Sequence, residues 1–220
     1  DEEIQETLAY ADKNKENDEL IGEILEKARK RKGLSHRDAS VLLSCTIPER
    51  NEEIYALAEQ IKKDFYGNRI VLFAPLYLSN YCINGCVYCP YHAKNKHICR
   101  KKLTQEEIRK EVIALQDMGH KRLALETGED PVNNPIEYVL ESIKTIYSIK
   151  HKNGAIRRVN VNIAATTVEN YRKLKAAGIG TYILFQETYH KKSYEQLHPT
   201  GPKHNYDYHT EAMDRAMEGG

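Results

Sequence analysis

From residue 69 onward, the sequence alternates short apolar runs with amphipathic helical patterns, and this alternation constrains the fold more than any other feature. Runs of strand length occur at 70–74, 121–127, 158–164 and 181–186. The continuous apolar run at 70–74 is typical of a strand that is buried on both faces. Each run precedes a helical pattern, so the sequence predicts a β–α unit repeated four times and a parallel sheet with helical crossovers.

The helical patterns carry their own boundary signals. Thr104 and Glu107 have the spacing of a capping box, in which each side chain accepts a hydrogen bond from the other residue's backbone. The third helix is predicted to begin with a cap at Thr166 and to end at Gly178, and a fourth helix is predicted over 205–217.

Four strand–helix units fit either an open sheet or half of a (β/α)8 barrel, because a full barrel needs about 250 residues. The chain stops just after a predicted helix, where a fifth strand would begin. We therefore expect an α/β fold in which a helical segment precedes the first half of a barrel, within a longer polypeptide. The predicted domains are a helical extension at 1–66, where Ser35 and Asp38 form another capping pair, and a barrel segment at 67–220.

The charge balance and the hydropathy pattern exclude several classes of protein. Lys and Arg number 33 against 32 Asp and Glu, a net charge of +1 that lacks the basic footprint of a nucleic-acid-binding domain. No apolar run approaches the roughly 18 residues of a membrane span. The acidic N-terminus does not resemble a signal peptide, so we expect a cytoplasmic location.

Three of the chain's five cysteines lie in one short stretch, N-Y-C-I-N-G-C-V-Y-C-P-Y-H, which we call the cysteine loop (residues 80–92). Cys82, Cys86 and Cys89 follow a C-x3-C-x2-C spacing. The loop directly follows the first predicted strand, at the end of the sheet where such folds place their active sites. Clustered cysteines in a chain without a secretory signal more often bind metal than form disulfides.

Two kinds of metal site fit this cluster. A structural zinc site needs four ligands, and Cys99, His97 or His92 could supply the fourth, giving a closed metal-binding or electron-transfer domain. A 4Fe–4S cluster is held by thiolates, and three of them leave one iron without a protein ligand. That open iron could bind a substrate or cofactor, so the absence of a fourth nearby cysteine favours a reactive site.

The C-x3-C-x2-C spacing, with Tyr88 directly before the last cysteine, resembles the signature of the radical S-adenosylmethionine family. The resemblance implies a 4Fe–4S cluster on the three cysteines, whose open iron chelates the methionine amino and carboxylate groups. It further implies that an electron from the cluster cleaves the sulfonium. The resulting 5′-deoxyadenosyl radical would then abstract hydrogen from the substrate.

The second predicted strand ends in Thr127, Gly128 and Glu129, which resemble the family's second motif, usually Gly-Gly-Glu. In the family this motif holds the methionine amino group through strand-end carbonyls and a carboxylate. Gly128 also permits a close backbone approach to a ligand. An ordinary strand-end turn is the alternative interpretation of these three residues.

The resemblance implies roles for several further residues, each with a structural alternative. Tyr88 would pack on the adenine, or serve as a core aromatic. Glu187 would contact the cofactor, or form an ion pair. Arg215 would bind the methionine carboxylate as a bidentate donor, or lie on the surface. Asn160 and Asn162 alternate with valines, so they would line a cofactor cavity or form an internal polar layer.

Local stretches narrow the resemblance to the lyases of this family that cleave tyrosine at Cα–Cβ. The stretches 75–82 and 185–189 resemble both branches, the FeFe-hydrogenase maturases and the 2-iminoacetate synthases of thiamine biosynthesis. The stretches 89–92, 125–131 and 197–203 resemble the maturases more closely. The synthase remains the alternative within the family.

The maturase resemblance implies cleavage of L-tyrosine to p-cresol and dehydroglycine, en route to carbon monoxide and cyanide ligands for the hydrogenase H-cluster. A second iron–sulfur cluster, which the later steps require, is expected only beyond residue 220. The implied partners are a reduced flavodoxin or ferredoxin-type electron donor and other hydrogenase maturation proteins. No nucleic-acid or membrane partner is expected.

Overall fold

The computed structural model describes residues 2–220 and shows two compact units, one ending at Val71 and the other running from Leu72 to Gly220. Among the helices of this described part, none is both long enough and apolar enough to cross a membrane. The domain boundary predicted at residue 67 stays a prediction.

The first unit contains four helices: α1 (Glu2–Asn14), α2 (Asp18–Arg29), α3 (His36–Ser44) and α4 (Pro48–Tyr66). The predicted capping box at α3 is confirmed, because the Ser35 hydroxyl accepts from the Asp38 backbone and the Asp38 carboxylate accepts from the Ser35 backbone. One apolar cluster lies between these helices and consists mainly of Ile21, Ile24, Leu25, Val41 and Leu57.

The second unit is a parallel sheet of four strands in chain order, β1-β2-β3-β4. Its elements are β1 (Ala74–Ser79), α5 (Gln105–Asp117), β2 (Arg122–Thr127), α6 (Ile136–Ser148), β3 (Arg158–Asn162), α7 (Val168–Ala176), β4 (Tyr182–Ile183), α8 (Lys191–Leu197), α9 (Tyr206–Thr210) and α10 (Ala212–Gly219). The capping box predicted at Thr104 and Glu107 is present at the start of α5. The predicted α/β class with parallel β–α units is therefore confirmed.

The core of the second unit lies between the sheet and its helices. Every second strand residue points into it, and each fully buried aliphatic side chain stabilises the fold by about 1.5–3 kcal/mol. The strand residues in this core are Leu76, Leu78, Leu123, Leu125, Val159 and Val161. Asn160 and Asn162 alternate with the buried valines, as the sequence pattern predicts, and are only half-buried. The opposite face of the sheet is therefore polar where β3 crosses it.

The position of the first strand was predicted wrongly. The run 70–73 lies outside any strand, and Ile70 and Leu72 are 82% and 71% exposed. β1 instead begins at Ala74, which pairs with Leu123 of β2. The apolar run suggested burial on both faces, but the first part of β1 buries only Ala74, Leu76 and Leu78, and Tyr77 between the two leucines is exposed.

The last part of the chain also differs from the prediction. β4 is only two residues long, because it pairs with β3 at Val161 and Asn162 alone. The helix predicted over 205–217 is two helices that are separated at Glu211, and α8 was not predicted. Thr167, not Thr166, caps α7, since its hydroxyl accepts from the backbone N–H of Asn170 at 3.2 Å.

Candidate functional site

The cysteine loop leaves the carboxyl end of β1 and lines a cavity of about 290 Å³. Cys86 is buried, and Cys82 and Cys89 are partly buried. The cavity is lined by every predicted site residue except Arg215, namely Cys82, Cys86, Tyr88, Cys89, Thr127, Gly128, Glu129, Asn162 and Glu187. The structure thus brings together residues from the ends of all four strands.

Backbone hydrogen bonds fix the cysteine loop between the second strand end and the segment 197–203. The N–H of Ile83 donates to the carbonyl of Glu129 at 2.9 Å. The N–H groups of Gly85 and Val87 donate to the carbonyls of Thr200 at 2.8 Å and Leu197 at 3.0 Å. The two donors flank Cys86, so the segment 197–203 holds the middle of the loop in position.

Asn84 links the cysteine loop to two other elements, and sequence reasoning missed it. It is 3% exposed, and its side-chain N–H donates to the Glu129 carboxylate at 2.6 Å. Its side-chain oxygen accepts from the backbone N–H of Lys203 at 2.9 Å. Its place between two of the cysteines was the only signal in the sequence.

Gly128 packs directly against the cysteine loop. A Cβ atom at this position would lie 2.3 Å from the Tyr81 carbonyl oxygen and 2.8 Å from the Cys82 Cβ. The Gly128 N–H also donates to the Ser79 carbonyl at 3.1 Å. No side chain fits without displacing the backbone, which explains why the middle residue of the Thr-Gly-Glu motif is glycine.

Two carboxylates face the cavity. Glu126 lies in β2, and Glu129 lies just after the end of that strand. Burial raises the pKa of both groups, because a charge is costly away from water. Each accepts one amide hydrogen bond, Glu126 from Asn162 at 2.6 Å and Glu129 from Asn84 at 2.6 Å. A cationic ligand in this cavity would compensate the buried negative charge.

Tyr88 lies at the centre of a polar cluster on the far side of the cavity. Its hydroxyl is 3.0 Å from the Glu187 carboxylate, 2.8 Å from Nε2 of His198 and 3.2 Å from Nζ of Lys203. Burial raises the pKa of Tyr88 and lowers the pKa of His198, so both are neutral near pH 7.

This cluster contains more acceptors than the tyrosine proton can satisfy. The Nδ1 atom of His198 lies 2.8 Å from the Tyr194 carbonyl and must donate to it, which makes Nε2 of the neutral ring an acceptor. The Tyr88 hydroxyl has one proton and cannot donate to both Nε2 and Glu187. The Lys203 ammonium also donates to the Glu187 carboxylate at 3.4 Å, so the ion pair considered for Glu187 is present and Glu187 keeps a donor when Tyr88 donates to Nε2. Glu187 also has a φ of 67°, a left-handed backbone conformation that is uncommon for residues other than glycine.

Two residues that were considered for the site lie elsewhere. Arg215 is not part of the cavity lining, since its Nε donates to the Thr166 carbonyl at 3.1 Å and its guanidinium stacks 3.8 Å above the Tyr208 ring. Cys99 is exposed, and its thiol donates to the Arg100 carbonyl at 3.9 Å. Neither side chain faces the three clustered cysteines.

The three cysteines suit a cluster rather than a single ion. An iron–sulfur cube takes one thiolate per iron, so its ligands surround a cavity instead of meeting at a point. The all-thiolate donor set and the shared cavity of Cys82, Cys86 and Cys89 fit such a cube.

A larger cavity of about 440 Å³ adjoins the first and shares the Thr127, Gly128 and Glu129 edge with it. It extends towards the start of α6 and α7, where it is lined by Ile136 and Asn170. An elongated ligand beside the cysteines could therefore continue past the end of β2.

Comparison with known family models and known protein sequences identifies the family of the chain. A family model described as the radical SAM superfamily matches residues 76–220. The chain is 32% identical to 2-iminoacetate synthase of Salmonella typhimurium, over 89% of this chain and 50% of that protein. It is 33% identical to 3-methylornithine synthase of Methanosarcina acetivorans, over 74% of this chain and 45% of that protein.

Two solved structures resemble the chain over almost its whole length. A crystal structure of HydG, a maturase of the FeFe-hydrogenase, is 59% identical with a TM-score of 0.92, covering 100% of this chain and 48% of that one. HydG from Carboxydothermus hydrogenoformans is 41% identical with a TM-score of 0.82, covering 99% and 50%. The chain thus spans about half the length of the relatives it matches.

Proposed function

The chain belongs to the radical SAM superfamily, and from this premise we propose that it is a tyrosine lyase that cleaves the Cα–Cβ bond with a 4Fe–4S cluster and S-adenosylmethionine. Membership of the family confirms the resemblance of the cysteine signature, and it implies both cofactors. The observation that carries the proposal is the single cavity that Cys82, Cys86 and Cys89 share with the Thr127–Glu129 strand end and Glu187.

When bound, the cluster and S-adenosylmethionine supply the one-electron chemistry that removes a hydrogen atom from the substrate. The chain's own residues have four tasks in this proposal. The three thiolates hold the cluster, and Gly128 lets a ligand approach the backbone of β2. Glu126 and Glu129 offset the positive charge of an ammonium and a sulfonium, and Tyr88 presents its ring to the adenine.

The proposed substrate is L-tyrosine, and the proposed route is hydrogenase maturation. The support is the 59% identity to HydG over the whole chain, against 32% to a 2-iminoacetate synthase. The products would be p-cresol and dehydroglycine, with dehydroglycine consumed to form carbon monoxide and cyanide on a second iron–sulfur cluster. That second cluster, expected beyond residue 220, stays a prediction, and 2-iminoacetate synthase activity is the alternative.

The proposal also includes a flavodoxin or ferredoxin-type electron donor, other maturation proteins as partners and a cytoplasmic location. The support is the resemblance to HydG, whose structure is described as that of a maturase of the FeFe-hydrogenase. We further propose that Arg215 holds the loop end of β3 through the Thr166 carbonyl, in place of the cofactor contact predicted from the sequence.

The test is anaerobic reconstitution with iron and sulfide, followed by EPR of the reduced protein with and without S-adenosylmethionine. A 4Fe–4S signal that changes when the cofactor is added, and p-cresol release when tyrosine is added, support the proposal. Release of p-cresol by residues 1–220 supports both branches equally, because cyanide formation needs the second cluster that is expected beyond residue 220. An EPR signal that does not change when S-adenosylmethionine is added would overturn the radical mechanism.

Cysteine variants separate the cluster from a closed metal site. Cys86→Ser removes a buried ligand of the proposed cluster, so we expect loss of most of the bound iron. Cys99→Ser is the matched control and should leave iron content and the EPR signal unchanged, because Cys99 lies outside the cavity. Loss of iron in the Cys99→Ser variant would indicate a four-cysteine structural site instead.

A further inference from the structure

A strongly basic segment begins within the last residues of the cysteine loop and continues beyond it. Residues 90–102, which we call the basic loop, contain five Lys and Arg, two His and no Asp or Glu. The whole chain has a net charge of only +1. The basic loop therefore carries a local excess of positive charge within a nearly neutral chain.

The basic loop is folded onto the cysteine loop through one arginine. The Arg100 guanidinium donates to the carbonyls of Asn80 at 2.5 Å, Tyr91 at 2.8 Å and His92 at 2.8 Å. The N–H of His92 donates to the Cys89 carbonyl at 3.2 Å. The basic loop is thus bonded directly to the backbone of a proposed cluster ligand.

The lysines of the basic loop have different surroundings. Lys102 lies 4.1 Å above the Tyr138 ring, and Lys101 pairs with Glu107 at 3.1 Å, so both have partners within the fold. Lys94 and Lys96 are exposed, and neither is within ion-pair distance of an acid in residues 2–220. These two side chains present unpaired positive charge to solvent next to the cysteines.

The small molecules of the proposed reaction do not account for this charge. S-adenosylmethionine carries a net positive charge near pH 7, since its sulfonium and ammonium outweigh its carboxylate, and zwitterionic tyrosine is neutral. Positive charge on the basic loop would repel the first and would not steer the second. The remaining requirement is an electron from outside, which must enter close to the cluster because transfer rates fall steeply with distance.

We propose that the basic loop, through Lys94 and Lys96, is the docking surface for a small acidic electron-carrier protein of the ferredoxin or flavodoxin class. The inference rests on the proposed function, because it assumes a cluster that must be reduced. One electron passes from the carrier, which is oxidised by one electron, to the cluster, which is reduced by one, and no bond is made or broken. Such redox encounters use small interfaces and depend on electrostatic steering.

The test compares two charge-reversal variants of the full chain. Lys94→Glu/Lys96→Glu changes the basic loop. Lys144→Glu/Lys150→Glu makes the same change in net charge at two exposed lysines on and just after α6, whose last turn lies at the opposite end of the sheet. The probe is a reduced acidic bacterial ferredoxin, and the measurement is the second-order rate of cluster reduction by stopped flow at low and high salt.

We expect the Lys94→Glu/Lys96→Glu variant to be reduced about 10-fold or more slowly than wild type at low salt, with the difference shrinking as salt rises. The Lys144→Glu/Lys150→Glu variant should behave like wild type. Dithionite, which needs no docking surface, should reduce all three proteins to the same extent. Equal ferredoxin rates for the two variants would overturn the docking surface.

A direct binding titration keeps the inference separate from the proposed function. If dithionite reveals no cluster even in wild type, the proposed function fails. Ferredoxin binding that requires Lys94 and Lys96 would then still support the docking surface, whereas equal binding by both variants would refute it. A duplex oligonucleotide serves as a competing ligand. If wild type binds it more tightly than it binds ferredoxin, and the Lys94→Glu/Lys96→Glu variant does not bind it, the surface would be assigned to nucleic acid instead.

Discussion

At the scale of single residues, Asn84 shows how a side chain with no obvious chemistry can organise a site. It uses both ends of its amide, one on the Glu129 carboxylate and the other on the Lys203 backbone. Buried polar groups that lose a partner are costly, so the two contacts restrict the cysteine loop as well as stabilise it.

We predict that Asn84→Ala destabilises the apoprotein by about 1–3 kcal/mol, because it leaves a buried carboxylate and a backbone N–H without a partner. Urea unfolding measures this change, and iron content after reconstitution should fall in parallel. Asn153→Ala, at an exposed position, is the control and should stay within about 0.5 kcal/mol of wild type. Equal effects of the two variants would contradict the organising role of Asn84.

His209 gives the site a dependence on pH. Burial lowers its pKa to about 4 from 6.5, and its Nε2 lies 3.1 Å from the Phe185 carbonyl. Because the folded pKa is below the unfolded one, the unfolded chain binds the proton first as pH falls. The stabilising contribution is complete above pH 6.5 and is lost as pH falls towards 4, by at most about 3 kcal/mol.

We therefore predict that wild type loses more stability between pH 7 and pH 5 than a His209→Gln variant, in which a neutral amide can keep the contact with the carbonyl. Urea midpoints at several pH values provide the measurement. Parallel curves for the two proteins would show that His209 titrates normally in the folded state.

At the scale of elements, the segment 197–203 acts as the second wall of the cysteine loop. Its carbonyls accept from Gly85 and Val87, and Gly201 lies against Asn84 with a φ of 93°. A Cβ on Gly201 would lie 2.4 Å from the Asn84 side-chain oxygen and 2.7 Å from its Cα. The segment therefore depends on glycine for two reasons, the left-handed backbone and the close approach.

We predict that Gly201→Ala separates this segment from the cysteine loop and lowers cluster retention well below that of wild type. Gly119→Ala is the matched control, because Gly119 has a φ of 95° and open space within 4 Å of its added Cβ. Both variants carry the same backbone cost of about 1 kcal/mol, and only the first carries a clash. Iron release into a chelator over time distinguishes them, and equal release would refute the role of the segment.

At the scale of the whole molecule, the chain consists of two compact units, and the stretch 67–73 runs across the boundary at Val71. Ile70, Leu72 and Phe73 in this stretch are exposed apolar residues outside regular structure. Exposed irregular segments are where proteases cut folded proteins first.

We predict that brief treatment with chymotrypsin cleaves first within or beside 67–73 and yields two fragments that keep helical circular dichroism. Mass spectrometry identifies the cut. A Leu72→Ser/Phe73→Ser variant removes the favoured sites and should be cleaved more slowly. First cleavage inside α4 before Phe65, or inside β2, would contradict the assignment of this stretch as the exposed connection.

The sequence by itself determined the features that depend on neighbouring residues. Three such features are local and can be read without any knowledge of packing. They are the C-x3-C-x2-C spacing, the capping boxes at Ser35 and Thr104, and the period-two pattern of β3. They were enough to predict the parallel β–α units, the family and the end of the sheet at which the site lies.

Only the tertiary structure decided which distant residues meet. Asn84, Glu126, His198 and Lys203 lie in stretches that the sequence singled out, but only the fold shows that their side chains meet at the site. Arg215 instead donates to the Thr166 carbonyl and does not line the cavity of the three cysteines. The apolar run at 70–73 has strand composition, yet the pairing of Ala74 with Leu123 places β1 after it. Composition measures how favourable burial would be, but register and long-range hydrogen bonds decide which residues are buried.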